Sequence, residues 1–107
     1  MNRSGIVFFN DKKCGIIFET DSGYSFKYDD KYLKDIDSKP ISLTMPLNKK
    51  EFVSSVLFPF FDGLIPEGYL LEITINKWNI KRNDRFGLLL KTSKDPIGAV
   101  SISEVKL

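Results

Sequence analysis

The chain has 107 residues, enough for one domain over 1–107 that buries roughly 65% of its unfolded surface without covalent staples. Sixteen Lys and Arg against 14 Asp and Glu leave a formal charge of +2, too little for the basic face expected of a nucleic-acid binder. The absence of His removes the usual general base and the commonest metal ligand, and a single cysteine excludes an intramolecular disulfide.

Ile6-Val7-Phe8-Phe9, the polar Asn10-Asp11-Lys12-Lys13 and Cys14 to Thr20 read as a β-hairpin. Cys14 lies in an apolar run, where a small buried hydrophobe is expected rather than a nucleophile. Asp21-Ser22-Gly23 is the next turn. Tyr24, Phe26 and Tyr28 alternate with Ser25 and Lys27, the period of a half-buried strand. Asp29 or Asp30 can cap one or two helical turns that bury Tyr32 and Leu33. Asp29, Asp30, Asp35 and Asp37 lack the alternate spacing and closing Glu of a calcium loop, so a solvated loop is expected.

Ile41, Leu43 and Met45 alternate with Ser42 and Thr44 between Pro40 and Pro46, which predicts a short marginal strand. Asn48 to Glu51 reads as a polar loop, and Phe52 to Phe61 is apolar again. The stretch Leu57 to Tyr69, LFPFFDGLIPEGY, breaks at Asp62-Gly63 and restarts at Pro66, since prolines disrupt both helix and strand interiors. Pro66 fits the first position of a helix, with Glu67 near the positive end of its dipole. Leu71, Ile75 and Trp78 form its inward stripe, widened by Leu70 and Ile73, so Trp78 is expected in the core. Asn83 is the expected N-cap of a second helix carrying Phe86, Leu89 and Leu90 and ending near Lys91-Thr92. Ser93 to Pro96 is a turn, and Ile97 to Val105 a closing strand. These elements predict an α+β domain: a small, mainly antiparallel sheet of about five strands with two to three helices packed on one side.

No residue set supports catalysis. Asp62 and Glu67 read more simply as a turn residue and a helix-start carboxylate than as an acid–base pair, and the Gly63-to-Gly68 segment lacks the Lys-Ser/Thr of a phosphate loop. The chain is therefore not expected to be an enzyme or to need a cofactor or metal. Phe8, Phe18, Tyr24, Phe26 and Tyr28 have only Lys27 interleaved, so core packing is expected over a nucleic-acid stacking platform. The densest basic patch, Lys77, Lys81, Arg82 and Arg85, is the only candidate for direct nucleic-acid contact, which is not expected. With no signal peptide or long apolar span at Met1 or beyond, no membrane partner is expected and the cytoplasm is the default.

Four motifs occur in order: Ile41-Ser42-Leu43-Thr44-Met45-Pro46-Leu47, Phe60-Phe61-Asp62-Gly63-Leu64-Ile65-Pro66-Glu67-Gly68, Asp84-Arg85-Phe86-Gly87-Leu88-Leu89 and Asp95-Pro96-Ile97-Gly98-Ala99-Val100. Together, and with the Gly23-to-Tyr28 strand, they resemble the small N-terminal domain of HipA-type serine/threonine kinase toxins. Ser93 stands where that family often has Gly, and Ile65 replaces a common Leu. The chain ends at Leu107, so the kinase body, its ATP site and its catalytic Asp are not in it. That is similar to the split HipBST arrangement, in which HipS is a separate small protein beside the kinase HipT and the helix-turn-helix protein HipB. The resemblance implies an antitoxin subunit that binds and neutralises a HipT-like kinase, with a HipB-like protein as a second partner. Kinases of this family phosphorylate aminoacyl-tRNA synthetases, so release of the kinase would halt translation. A non-inhibitory assembly subunit bridging kinase and repressor is the alternative. The expected kinase contact is the broken segment: Asp62, Gly63, Ile65, Pro66, Glu67 and Tyr69. Phe58, Phe60, Phe61 and Leu64 are expected in the core.

Overall fold

The computed structural model describes residues 2–94 and 98–105. β1 (Ser4–Phe9) and β2 (Lys12–Thr20) pair antiparallel. Their link, Asn10-Asp11, has φ of 49° and 66°. Two left-handed residues in a row give a turn whose twist matches that of the flanking strands, and Asn and Asp tolerate this conformation well. Opposite Val7 and Phe8 the register slips, leaving Cys14 as the extra residue of a bulge. Its carbonyl accepts the Asp29 N–H instead, at 2.8 Å. β3 (Gly23–Tyr28) pairs with β2, and β4 (Glu51–Ser54) with β3. β5 (Val100–Glu104) returns to pair with β1, giving the antiparallel order β4-β3-β2-β1-β5.

One sheet face is covered. Val7, Ile17, Phe26, Tyr28 and Ile102 point into the core and meet Phe58, Phe61, Phe86, Leu88 and Leu89 from the helical side. The helices there are α1 (Asp30–Lys34), α2 (Pro59–Asp62), α3 (Tyr69–Trp78) and α4 (Arg85–Thr92). The expected α+β class, with helices on one side, is what forms, with four helices rather than two or three. Core packing of the aromatics holds for Tyr24, Phe26 and Tyr28. Phe8 and Phe18 face the other way and are half-buried.

The fourth strand lies elsewhere than expected. Residues 41–45 form turns, not a strand. Ile41 and Met45 point inward, while Leu43, which alternation placed on the same face, is 97% exposed. The Tyr28 hydroxyl explains this geometry: it donates to the Met45 carbonyl and accepts from the Ile41 N–H. One buried side chain thus satisfies both ends of the loop and removes the need for a ladder. The strand forms instead from Glu51, expected in a loop, because Phe52 then falls opposite Phe26 on the core face.

The helix boundaries also shift. Pro66 does not open α3, which starts at Tyr69 after Gly68 at φ +62°. Pro59 takes the first-turn position instead, in α2. α4 is capped by Asp84, not Asn83: the Asp84 carboxylate accepts from the Gly87 N–H at 3.1 Å. Arg3 then ties that cap to the sheet. Its guanidinium bonds both Asp84 oxygens at 2.8 and 2.9 Å and both Glu19 oxygens at 2.9 Å, and lies 5.5 Å from the Phe86 ring centroid. The expected turn at Ser93–Pro96 and the start of the closing strand at Ile97 fall in part on residues 95–97, outside the described residues.

Candidate partner-binding surface

The Phe-rich half of the 57–69 stretch is interior. Phe58 and Phe61 are buried, and Phe60 and Leu64 are half-buried against them. Phe61 meets Phe26 at 5.6 Å and Phe60 at 5.2 Å between ring centroids, so the short α2 is fixed by aromatic contacts to the sheet. Its C-terminus is further held by Arg85, whose Nε donates to Asp62 Oδ1 at 2.7 Å. Asp62 is thus engaged within the chain, and this pairing holds the Arg85 guanidinium above its usual range.

Beyond Asp62 the chain turns outward. Gly63 and Glu67 are exposed, and Pro66 is half-buried. Tyr69 is 80% exposed, with Leu70 exposed beside it. Ile65 differs from these neighbours: it is 4% exposed and belongs to the core. The six residues singled out in the sequence therefore form one turn, but they divide by role. Gly63, Glu67 and Tyr69 present surface, Asp62 and Pro66 border it, and Ile65 anchors it from below.

Gly63, Leu64, Ile65 and Pro66 of this stretch also line an open groove of about 760 Å³. α3 makes one wall through Leu70, Ile73 and Lys77, and α4 the other through Lys91 and Thr92. Trp78 lines the same groove and is 47% exposed, so it is not the core residue its position in the stripe suggests. The reason is the width of the apolar set on α3. Leu71 and Ile75 pack inward, which turns Leu70, Ile73 and Trp78 away from the core. Five apolar positions on ten residues exceed what one buried stripe needs, and that excess was the available signal. Lys77 and Lys91 sit 5.3 and 5.1 Å from the Trp78 ring centroid, within cation–π range.

The described lining of the groove holds no carboxylate. Among the described residues no group of three or more His, Cys, Asp or Glu side chains could hold a metal ion. Cys14 is buried and does not line the groove, and burial pushes its thiol up to about 12, which keeps it protonated and unreactive. No described helix is long and apolar enough to cross a membrane.

Three likenesses accord with this architecture. The family model for the HipA N-terminal domain matches residues 5–103. An uncharacterized protein of Haemophilus influenzae strain Rd is 36% identical over 104 residues, covering 97% of this chain and 94% of that protein. A solved structure described as the N-terminal domain of HipA toxin superposes with a TM-score of 0.74 at 30% identity, covering 97% of this chain and 93% of that one. A match across nearly the whole sheet-and-helix unit, with sequence identity to accompany the fold, makes this chain a member of the HipA N-terminal domain family.

Proposed function

We propose that this chain is an antitoxin subunit that binds a HipT-like serine/threonine kinase in trans and neutralises it, with the turn from Asp62 to Tyr69 as the kinase contact. The observation that carries the reading is the exposed apolar end of that turn, Tyr69 with Leu70, set on a rigid aromatic base. Large exposed apolar side chains beside a well-anchored turn are characteristic of a protein interface, and Tyr is a frequent anchor there. Family membership supplies the context, since the matched structure is a domain of a toxin. Inhibition follows if the docked turn blocks the kinase active site or holds the kinase inactive.

A second reading, an assembly subunit bridging the kinase and a HipB-like DNA-binding protein, has its own support. The sheet face opposite the helices carries Ile6, Phe8, Ile16 and Phe18, half-buried and apart from the core cluster, with the exposed Val53 beside them. Two apolar surfaces on opposite sides suit a bridge.

Co-expression with the neighbouring kinase, without the DNA-binding protein, separates the two. The antitoxin reading expects growth to be rescued, and expects Tyr69→Ala with Leu70→Glu to abolish rescue while the chain stays soluble. No rescue by the soluble wild-type chain refutes it and favours the bridge.

A further inference from the structure

We infer that the outer edge of β4 pairs with β4 of a second copy of this chain, antiparallel about a two-fold axis at Val53. This pairing concerns the sheet alone and does not rest on the antitoxin reading.

The two edges of the sheet differ. β5 is covered: the Ile102 N–H, on the side away from β1, donates to the carbonyl of Ser93 at the end of α4, at 2.8 Å. β4 ends the sheet on the other side, with no strand beyond it. One bond fixes which of its groups are free. The Tyr28 N–H donates to the Lys50 carbonyl at 2.9 Å, so in this antiparallel register the main-chain groups of Phe52 and Ser54 also face β3. Those of Glu51 and Val53 point outward, and they have no main-chain partner among the described residues.

Edge strands are commonly blunted by a lysine, a proline or a bulge. β4 pairs with β3 without a register shift, and its outward-facing position within the strand is Val53, 74% exposed. The edge thus offers a donor, an acceptor and an uncovered β-branched side chain at one residue.

The register identifies the occupant. A two-fold axis at Val53 lets the two copies of that residue exchange both main-chain hydrogen bonds and sets valine against valine. Phe52 then falls opposite Ser54 of the second copy, Glu51 opposite Ser55 and Lys50 opposite Val56, so no like charges are opposed. On the face away from the helices, Phe18 lies opposite Ser25 and Ser25 opposite Val53. Pairing joins this row to its copy, and Val53 passes from the rim of one sheet to the middle of a ten-stranded one. The strand has only four residues, about 13 Å, so the interface falls below the roughly 1,200 Å² of a stable complex and the dimer is weak and reversible.

Sedimentation equilibrium of the full chain from about 5 to about 500 µM tests this, since weak interfaces assemble in that range. The average mass should rise with concentration toward that of two chains and no further. Val53→Lys should hold the chain monomeric throughout. Val53→Pro should do the same, because it removes an outward N–H and leaves the ladder to β3 intact. Circular dichroism and urea unfolding of dilute samples check that both variants are folded, and Val53→Lys alone suffices if the proline is not tolerated. Register is read separately by cross-linking. Cα atoms of a hydrogen-bonded antiparallel pair are about 5.5 Å apart, within disulfide reach. Val53→Cys should therefore form a disulfide-linked dimer under mild oxidation at least about tenfold faster than Leu43→Cys, a comparably exposed control on a loop. A wild-type chain that stays monomeric to about 500 µM overturns the inference. So does undiminished association of folded Val53→Lys, or cross-linking of Val53→Cys no faster than that of Leu43→Cys.

Discussion

Replacing Arg3 with Met tests how the helical layer is fastened to the sheet. The stem length is kept and the guanidinium is lost, and with it four charge-assisted hydrogen bonds to Glu19 and Asp84. Counted at fully buried values these would sum to well above 5 kcal/mol. Such a sum is too large, because the Arg3, Glu19 and Asp84 side chains are 38%, 22% and 32% exposed, and solvent screens each pair. About 1 kcal/mol per pair, plus the repulsion of two carboxylates left facing each other, gives a loss of about 2–3 kcal/mol at neutral pH. The pH dependence has a definite sign. Hydrogen bonds from Arg3 hold both carboxyls below their ordinary ranges in the folded chain. Their stabilisation is therefore complete above the unfolded-state values and is lost as pH falls through the depressed folded ones. Urea unfolding followed by far-UV circular dichroism should show the full gap between wild type and Arg3→Met at pH 7. The gap should close progressively as pH falls from about 5 toward 2. A difference at pH 7 below about 0.5 kcal/mol, the range of an unremarkable surface change, would refute the clamp, as would a gap independent of pH.

Two further outcomes follow from the interior. Tyr28→Phe removes the hydroxyl shared by Ile41 and Met45 and should cost about 1–3 kcal/mol in urea unfolding. Amide exchange at Ile41 should accelerate beyond the global change, and exchange rising only with global unfolding would show that the hydroxyl does not hold the loop. Because burial raises the Cys14 thiol to about 12, a thiol reagent at pH 8 should label the native chain far more slowly than the urea-unfolded chain. Equal rates in the two states would place Cys14 outside the core.

The family likeness was legible in the four ordered motifs, and so were the first three strands. Their legibility has a local cause: a turn of Asn10-Asp11 and the alternation of Tyr24, Phe26 and Tyr28 encode pairing between neighbours in the chain. The loop at 41–45 was not legible, because its alternation is that of a strand while its conformation depends on a hydroxyl 13 residues earlier. Nor was the N-cap of α4: Asn83 and Asp84 are both good caps, and Arg3, 81 residues away from Asp84, binds the one that is used.

The stretch from Leu57 to Tyr69 divides in the same way. Sequence by itself determined that this segment breaks, since Pro59, Gly63 and Pro66 cannot share one regular element, and that its phenylalanines pack in or against the core. Only tertiary structure decided which residues after the break meet water. Ile65 goes under the turn because Phe58 and Phe61 have already fixed α2 on the sheet. Trp78 comes out because Leu71 and Ile75 fill the available inward face of α3. Apolar character states that a side chain gains by leaving water, but whether the core has room for it depends on what the rest of the chain has packed there.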